Sequence, residues 1–137
     1  MKKISFAILF LFFAFLINVN AQDKEITAAS KSLIDLSGSK NYEKAAVLII
    51  YQGDDTERNN KVSLDPKNVN ELKYAKKVCS KISAMKAISE TYEVGDVEKI
   101  SDKEYKVNLY FVNGSQKLPA TFSFLKTDKG YLLQEIN

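Results

Sequence analysis

Aromatic side chains and one amide are the residues whose types and spacing best suggest ligand chemistry. Tyr105, Phe122 and Phe124 stand at alternating positions of two runs, and Gln134 is the polar member of an otherwise apolar series. Mostly apolar walls with one or two polar groups are typical of a pocket for a small molecule. The pattern therefore predicts a ligand pocket to which two tyrosines of the helical half also contribute. The six predicted lining residues are Tyr42, Tyr51, Tyr105, Phe122, Phe124 and Gln134. The alternative is an ordinary aromatic core in which a backbone group satisfies the amide.

Catalytic chemistry has little support in the sequence. The chain has no His, which excludes Ser-His-Asp and Cys-His machinery, an imidazole base and His-ligated zinc. A proton-transfer enzyme would need a carboxylate inside the pocket with a raised pKa. The predicted strand register turns Glu104 and Glu135 away from that side. We therefore expect no catalytic residues and no cofactor, and favour a non-enzymatic role.

Two charged clusters are candidate binding features. The acidic residues of 54–57 could hold a cation, but they lack the spacing of an EF-hand loop and Arg58 would repel a metal. A solvated loop is favoured and no metal site is predicted. Lys73, Lys77 and Lys81 recur every four residues. This spacing predicts either the solvent-exposed face of an amphipathic helix or a surface that contacts an acidic partner.

The chain begins with the three parts of a secretory signal. Lys2 and Lys3 are followed by the apolar run 6–17 and by Val19 and Ala21, which fit a small-residue cleavage site. Residues 1–21 are therefore predicted to be removed between Ala21 and Gln22. The alternative, a permanent membrane anchor, needs about 20 apolar residues, more than this run supplies. The sequence does not distinguish a periplasmic from a released protein.

Residues 22–137 have the length of a single domain. Without Lys2 and Lys3, 18 basic side chains face 17 acidic ones, a net charge of +1. This balance favours neither a nucleic acid nor an anionic membrane as partner. The single Cys79 excludes an internal disulfide and is predicted to be buried.

Periodicity changes from helical to extended along this domain. Helices are predicted over 23–37, from Asn41 to Gly53, and from an Asp65 cap to Ile88, with a polar loop at 53–64. After Gly95 the apolar residues alternate with polar ones, as in strands.

Two turn signals predict the register of the strands. Asn113-Gly114 predicts a type I′ hairpin that sets Leu109 against Leu118, Val107 against Ala120 and Tyr105 against Phe122. A three-residue turn over 128–130 sets Phe122 against Ile136 and Phe124 against Gln134.

Helix-helix-loop-helix order before an antiparallel meander resembles the nuclear-transport-factor-two-like superfamily. Asn41-Tyr42-Glu43-Lys44-Ala45 and the closing segment 125–132 carry this resemblance, which covers most of residues 23–137. It implies an α+β fold with N-terminal helices packed on a curved, cone-like antiparallel sheet. The superfamily includes ketosteroid isomerases and scytalone dehydratase, whose catalytic Asp, His-Asp or Tyr residues cannot be transferred to positions of this chain. The chain also lacks Trp, and Leu132 stands where the family often has one.

Together these features predict an exported, non-enzymatic binding or accessory domain. Its ligand would be a small amphipathic molecule or a peptide at the open end of the cone. One alternative is an isomerase- or dehydratase-like enzyme of the same fold. The other is an interaction module that forms a homodimer through the outer face of its sheet, with contacts from Tyr110, Tyr131, Leu125 and Leu133.

Overall fold

A computed structural model describes residues 21–137, so that all of the predicted signal at 1–21 except its last residue lies outside the described residues. The described chain contains three helices and then one four-stranded antiparallel sheet in the order β1-β2-β3-β4. The elements are α1 (21–38), α2 (Tyr42–Ala46), α3 (Val69–Ala87), β1 (Thr91–Lys99), β2 (Glu104–Asn113), β3 (Gln116–Thr127) and β4 (Gly130–Ile136). This arrangement confirms the predicted α+β class.

Helix α1 supplies a continuous apolar face to the core. Ile26, Leu33 and Ile34 are fully buried at helical spacing. Ser30 and Ser37 are also buried, and each hydroxyl donates a hydrogen bond to the carbonyl four residues earlier, at 3.0 and 2.6 Å. The two hydroxyls are therefore satisfied within the helix and do not disturb its apolar face.

Helix α2 is much shorter than predicted. The sequence predicts a helix from Asn41 to Gly53, whereas the observed one ends at Ala46. Tertiary contacts explain the difference, because Ile49 and Ile50 are extended and form isolated β-bridges with Leu133 and Ser63. β-Branched residues favour such an extended conformation when a partner strand is present.

Helix α3 begins three residues later than an Asp65 cap implies. The Asn68 side chain accepts hydrogen bonds from the backbone N–H groups of Asn70 and Glu71, which makes Asn68 the N-cap of a helix that starts at Val69. Asp65 instead accepts from the N–H of Lys67 in the preceding turn. The predicted end at Ile88 is correct to within one residue.

The first hairpin has a register two residues from the predicted one. Asn113 pairs with Gln116, which sets Tyr105 against Phe124 and Leu109 against Ala120. The loop is Gly114-Ser115, and Gly114 has a φ of 61° while its neighbours have negative values. A positive φ at the first central residue alone indicates a type II′ turn, not type I′. Since the shift is even, every side chain keeps its predicted face.

The second hairpin has a two-residue loop, not the predicted three-residue loop. Thr127 pairs with Gly130, so that Phe124 faces Leu133 and not Gln134. A β-bulge then shifts the pairing, and Phe122 faces Ile136 as predicted. Gln134 occupies the bulge without a partner on β3.

The core lies between the helices and one face of the sheet. Its largest fully buried side chains come from α1, the 49–50 segment, α3 and strands β2 to β4: Phe111, Phe122, Phe124, Ile26, Leu33, Ile34, Ile49, Ile50, Ile82, Leu109, Leu133 and Val107. Cys79 is a buried free thiol, as predicted, and burial raises its pKa. The architecture is of the kind that the superfamily resemblance implied.

Candidate binding groove

Three of the six predicted pocket residues belong to the core. Phe122 and Phe124 are fully buried, and Tyr105 is 2% exposed. The Tyr105 ring lies edge-on to Tyr131 at 5.3 Å between centroids, and its hydroxyl donates to Oε1 of Gln22 at 3.4 Å. Phe122 and Phe124 are packed against protein on all sides, while Tyr105, although nearly buried, lines a depression at the start of α1.

The other three predicted residues lie apart from one another. Tyr42 lines a shallow depression beside α2 with the Lys76 ammonium 5.6 Å from its ring centroid. Tyr51 lies under the Arg58 guanidinium, 4.2 Å from its ring centroid. Gln134 lines a groove between α3 and β4. The structure therefore does not bring the six residues into one cavity.

The groove between α3 and β4 is an open concavity of about 610 Å³. Apolar side chains from the 49–52 segment, α3 and β4 meet polar side chains of the same elements and of β2 there. The lining residues are Ile49, Gln52, Tyr74, Lys77, Val78, Lys81, Glu104, Leu133, Gln134, Glu135 and Ile136. This volume lies within the range of small-ligand sites, and the mixture of apolar and polar groups is typical of them.

The edge of β4 supplies main-chain groups to this groove. At Leu133 the edge is covered, because its N–H donates to Leu48 and its carbonyl accepts from the N–H of Ile50. Beyond the bulge, Thr121 and Asn137 exchange two hydrogen bonds of 2.7 and 2.9 Å. In an antiparallel ladder the next pair is not hydrogen-bonded. The N–H and carbonyl of Ile136 therefore point away from β3, towards the groove.

Charges divide the groove between its two sides. Helix α3 contributes Lys77 and Lys81, and the Lys81 ammonium donates to the outward carbonyl of Ile136 at 2.8 Å. The sheet contributes Glu104, Gln134 and Glu135. One side is cationic and the other anionic, so the groove favours a ligand that carries a localised charge.

The groove combines two features that the sequence presents separately. The lysine repeat on α3 and the amide within the apolar series of β4 are both visible in the sequence. Only the packing of α3 beside β4 shows that Lys77 and Lys81 border the same space as Gln134. Lys73, the third lysine of the repeat, is exposed and does not line the groove.

An ion pair organises the polar loop next to the groove. Two guanidinium nitrogens of Arg58 donate to the two carboxylate oxygens of Glu71 at 2.7 and 2.9 Å, and the backbone N–H of Asp65 donates to the same carboxylate at 2.5 Å. The hydrogen bonds from Arg58 lower the pKa of Glu71, although burial alone would raise it. The Arg58–Glu71 ion pair and the Tyr51 ring together hold the polar loop in place. A second depression lies beside this loop, and Gln52 and Tyr74 line both it and the groove.

A further depression of about 700 Å³ lies at the start of α1. Burial, followed by the fields of Tyr105 and Glu25, raises the pKa of Tyr131 to about 12. The aromatic rings here are buried, and one wall contains residue 21, the first described residue. The α3–β4 groove is the better candidate because it joins apolar side chains and outward main-chain groups of β4 to Lys77 and Lys81.

The predicted sheet-dimer residues are only partly exposed. Tyr131 and Leu133 are buried on the core face, which corrects their predicted place on the outer face. Tyr110 and Leu125 lie on the outer face and are half-buried.

Within residues 21–137, no three Asp, Glu or Cys side chains lie close enough together to hold a metal ion. Asp55 of the acidic cluster accepts the N–H of Glu57 within its own loop. In the same part of the chain, no helix has the length and apolar character needed to cross a membrane.

Comparison with known proteins gives one structural likeness. No protein-family model matches the chain, and no curated protein matches its sequence. A solved structure of a Campylobacter jejuni protein described as an NTF2-like transpeptidase is similar at a TM-score of 0.49 and 14% identity, over 77% of this chain and 94% of that chain. The likeness concerns the fold alone.

Proposed function

We propose that this protein is an exported, non-enzymatic binding domain that holds a peptide or a small amphipathic molecule in the α3–β4 groove. The observation that carries the proposal is the groove itself, in which apolar side chains and the outward main-chain groups of Ile136 meet two lysines, one of which donates to the Ile136 carbonyl. The site differs from the interior pocket that the sequence predicts, because Tyr105, Phe122 and Phe124 pack into the core.

The state of the buried carboxylate favours binding over proton-transfer catalysis. Among the described residues Glu71 is the buried acidic side chain, and its pKa is lowered by Arg58. A carboxyl group that exchanges protons with a carbon acid near neutral pH needs a raised pKa. Both oxygens of Glu71 are also engaged by Arg58, so the group supports the loop and is poorly placed to act on a ligand.

Native mass spectrometry of the protein, purified gently from an export-competent host, tests the proposal. We expect a fraction of the molecules to carry an added mass of some hundreds of daltons. The double variant Tyr74→Ala, Gln134→Ala removes polar lining from the groove and is expected to lose this mass. Tyr42→Ala is the matched control, because it truncates an aromatic side chain in a separate depression.

Three outcomes would contradict the proposal. If the added mass persists in the double variant and disappears in Tyr42→Ala, the ligand lies elsewhere. If the wild-type protein is a dimer without added mass, the interaction-module alternative is favoured. If the added mass is a substrate that the protein converts, the enzyme alternative is favoured.

A further inference from the structure

The 48–50 segment interrupts the β4 edge that an added strand could use. The 48–50 segment occupies the edge at Leu133 through two hydrogen bonds, of 2.8 and 2.9 Å. After this block Gln134 to Ile136 remain within β4. An extended chain that pairs with the open edge therefore has to end, or turn away, where it meets the 48–50 segment.

The outward groups of Ile136 provide the main-chain contact. Its carbonyl already accepts from the Lys81 ammonium, and its N–H also points away from β3 because the neighbouring pair, Thr121 and Asn137, is the hydrogen-bonded one. A carbonyl oxygen has two lone pairs, so this one can also accept from a ligand. Together the two groups can form the narrow pair of hydrogen bonds that an antiparallel strand exchanges with one residue of its neighbour.

Lys77 lies near the blocked end of this edge. Along α3 it is one turn, about 6 Å, before Lys81, which contacts Ile136. Along β4, Gln134 is about 6.6 Å before Ile136. Tyr74 and Gln52 both line the groove and its neighbouring depression, which shows that the start of α3 lies towards the 49–52 segment. The step from Lys81 to Lys77 along α3 and the step from Ile136 to Gln134 along β4 therefore run in the same direction. Lys77 thus borders the end of the open edge that the 48–50 segment blocks.

Charge then selects the direction of the bound chain. An antiparallel ligand brings its C-terminus to the blocked end, whereas a parallel one brings its N-terminus there. Lys77 attracts a carboxylate and repels an ammonium group. Glu104 and Glu135 on the sheet side disfavour a ligand with many negative charges.

We infer that the groove captures the C-terminus of a peptide, which adds to β4 as a short antiparallel strand at Ile136 and places its terminal carboxylate against Lys77. This inference rests on the proposed function and specifies its ligand class. It combines pairing at a strand edge with recognition of a terminal carboxylate, two known modes of peptide binding.

Affinity selection with two synthetic libraries tests this inference. The probe is an N-acetylated hexapeptide library prepared once with free C-terminal carboxylates and once with C-terminal amides. After selection on the purified exported protein, bound peptides are identified by mass spectrometry and their affinities are measured by fluorescence anisotropy. We expect carboxylate peptides to bind about tenfold more tightly than their amides, as for one charge-assisted hydrogen bond.

A pair of lysine variants locates the carboxylate. Lys77→Gln should abolish the preference for carboxylate over amide, while Lys73→Gln, on the same helix but outside the groove, should retain it. Equal binding of the two libraries to the wild-type protein would overturn the inference and leave the groove proposal standing. Binding of neither library would also overturn it, and the mass measurement on the Tyr74 and Gln134 variant would then decide the groove proposal separately.

Discussion

Glu71 is the residue whose replacement should affect stability most directly through charge. In Glu71→Gln the Arg58 guanidinium loses its bidentate partner, and the side chain can accept fewer hydrogen bonds from Arg58 and Asp65. We expect the free energy of unfolding at neutral pH to fall by about 2 kcal/mol. Urea denaturation measures the change, and Glu57→Gln in the exposed part of the same loop is the control, with almost no expected effect.

The same carboxylate predicts a pH dependence of stability. Because its pKa is lowered in the folded protein, the contribution of Glu71 is fully present above its ordinary value of 4.5 and is lost as the pH falls towards the folded-state pKa. The difference in unfolding free energy between wild type and Glu71→Gln should therefore shrink below about pH 4.5. A difference that stays constant down to pH 3 would contradict the ion pair as its source.

Tyr131 should be visible in an alkaline titration. Its pKa is raised to about 12 by burial and by nearby negative charge. The neutral phenol is thus favoured in the folded state, and its contribution to stability is lost as the pH rises from 10 to about 12. We expect Tyr131→Phe to remove one step near pH 12 from the phenolate absorbance, and persistence of that step would contradict the assignment.

At the scale of elements, the bulge in β4 can be removed with little effect on the fold. Deletion of Gln134 leaves Leu133 opposite Phe124 and joins it directly to Glu135, which already faces Ser123. The alternation of side chains between the two faces would then be unbroken. We expect the free energy of unfolding to change by less than about 1 kcal/mol while ligand binding in the groove is lost.

Gln134→Ala is the matched control for that deletion. It removes the amide and keeps the extra residue, so the length of edge between Leu133 and Ile136 should be preserved and the binding of carboxylate peptides only weakened. Denaturation curves and anisotropy on both variants separate the two effects. A deletion that lowers stability by several kcal/mol would show that the bulge is needed for folding and not for the shape of the groove.

At the scale of the whole molecule, the predicted export signal would determine the first residue of the mature protein. If residues 1–21 are a cleaved signal, protein recovered from an export-competent host should begin at Gln22. N-terminal sequencing, with intact mass as a check where the first residue is blocked, measures this. Replacement of Ala21 by Asp should reduce cleavage, because the signal needs a small residue there, whereas Ala21→Ser should not. Recovery of the uncleaved chain would favour a retained anchor.

The sequence determined the type of most elements and the side chains that face the core. Helical and alternating periodicities are local properties of the chain, so α1, α3 and the two hairpins could be predicted. The two-residue slip of the first hairpin did not change the face of Tyr105 or Leu109, because side chains repeat every two residues along a strand. Cys79 was also assigned correctly to the interior.

Tertiary structure alone decided the register and the site. The predicted and the observed register of the first hairpin differ by two residues and bury the same face of each strand. The turn geometry at Gly114 therefore had to distinguish them. The early end of α2, the bulge at Gln134 and the place of Lys77 beside β4 all depend on contacts between residues far apart in the chain. Periodicity carries no information about such contacts. For that reason the sequence predicted a pocket among the core aromatics, while the structure places its best candidate groove at the edge of the sheet.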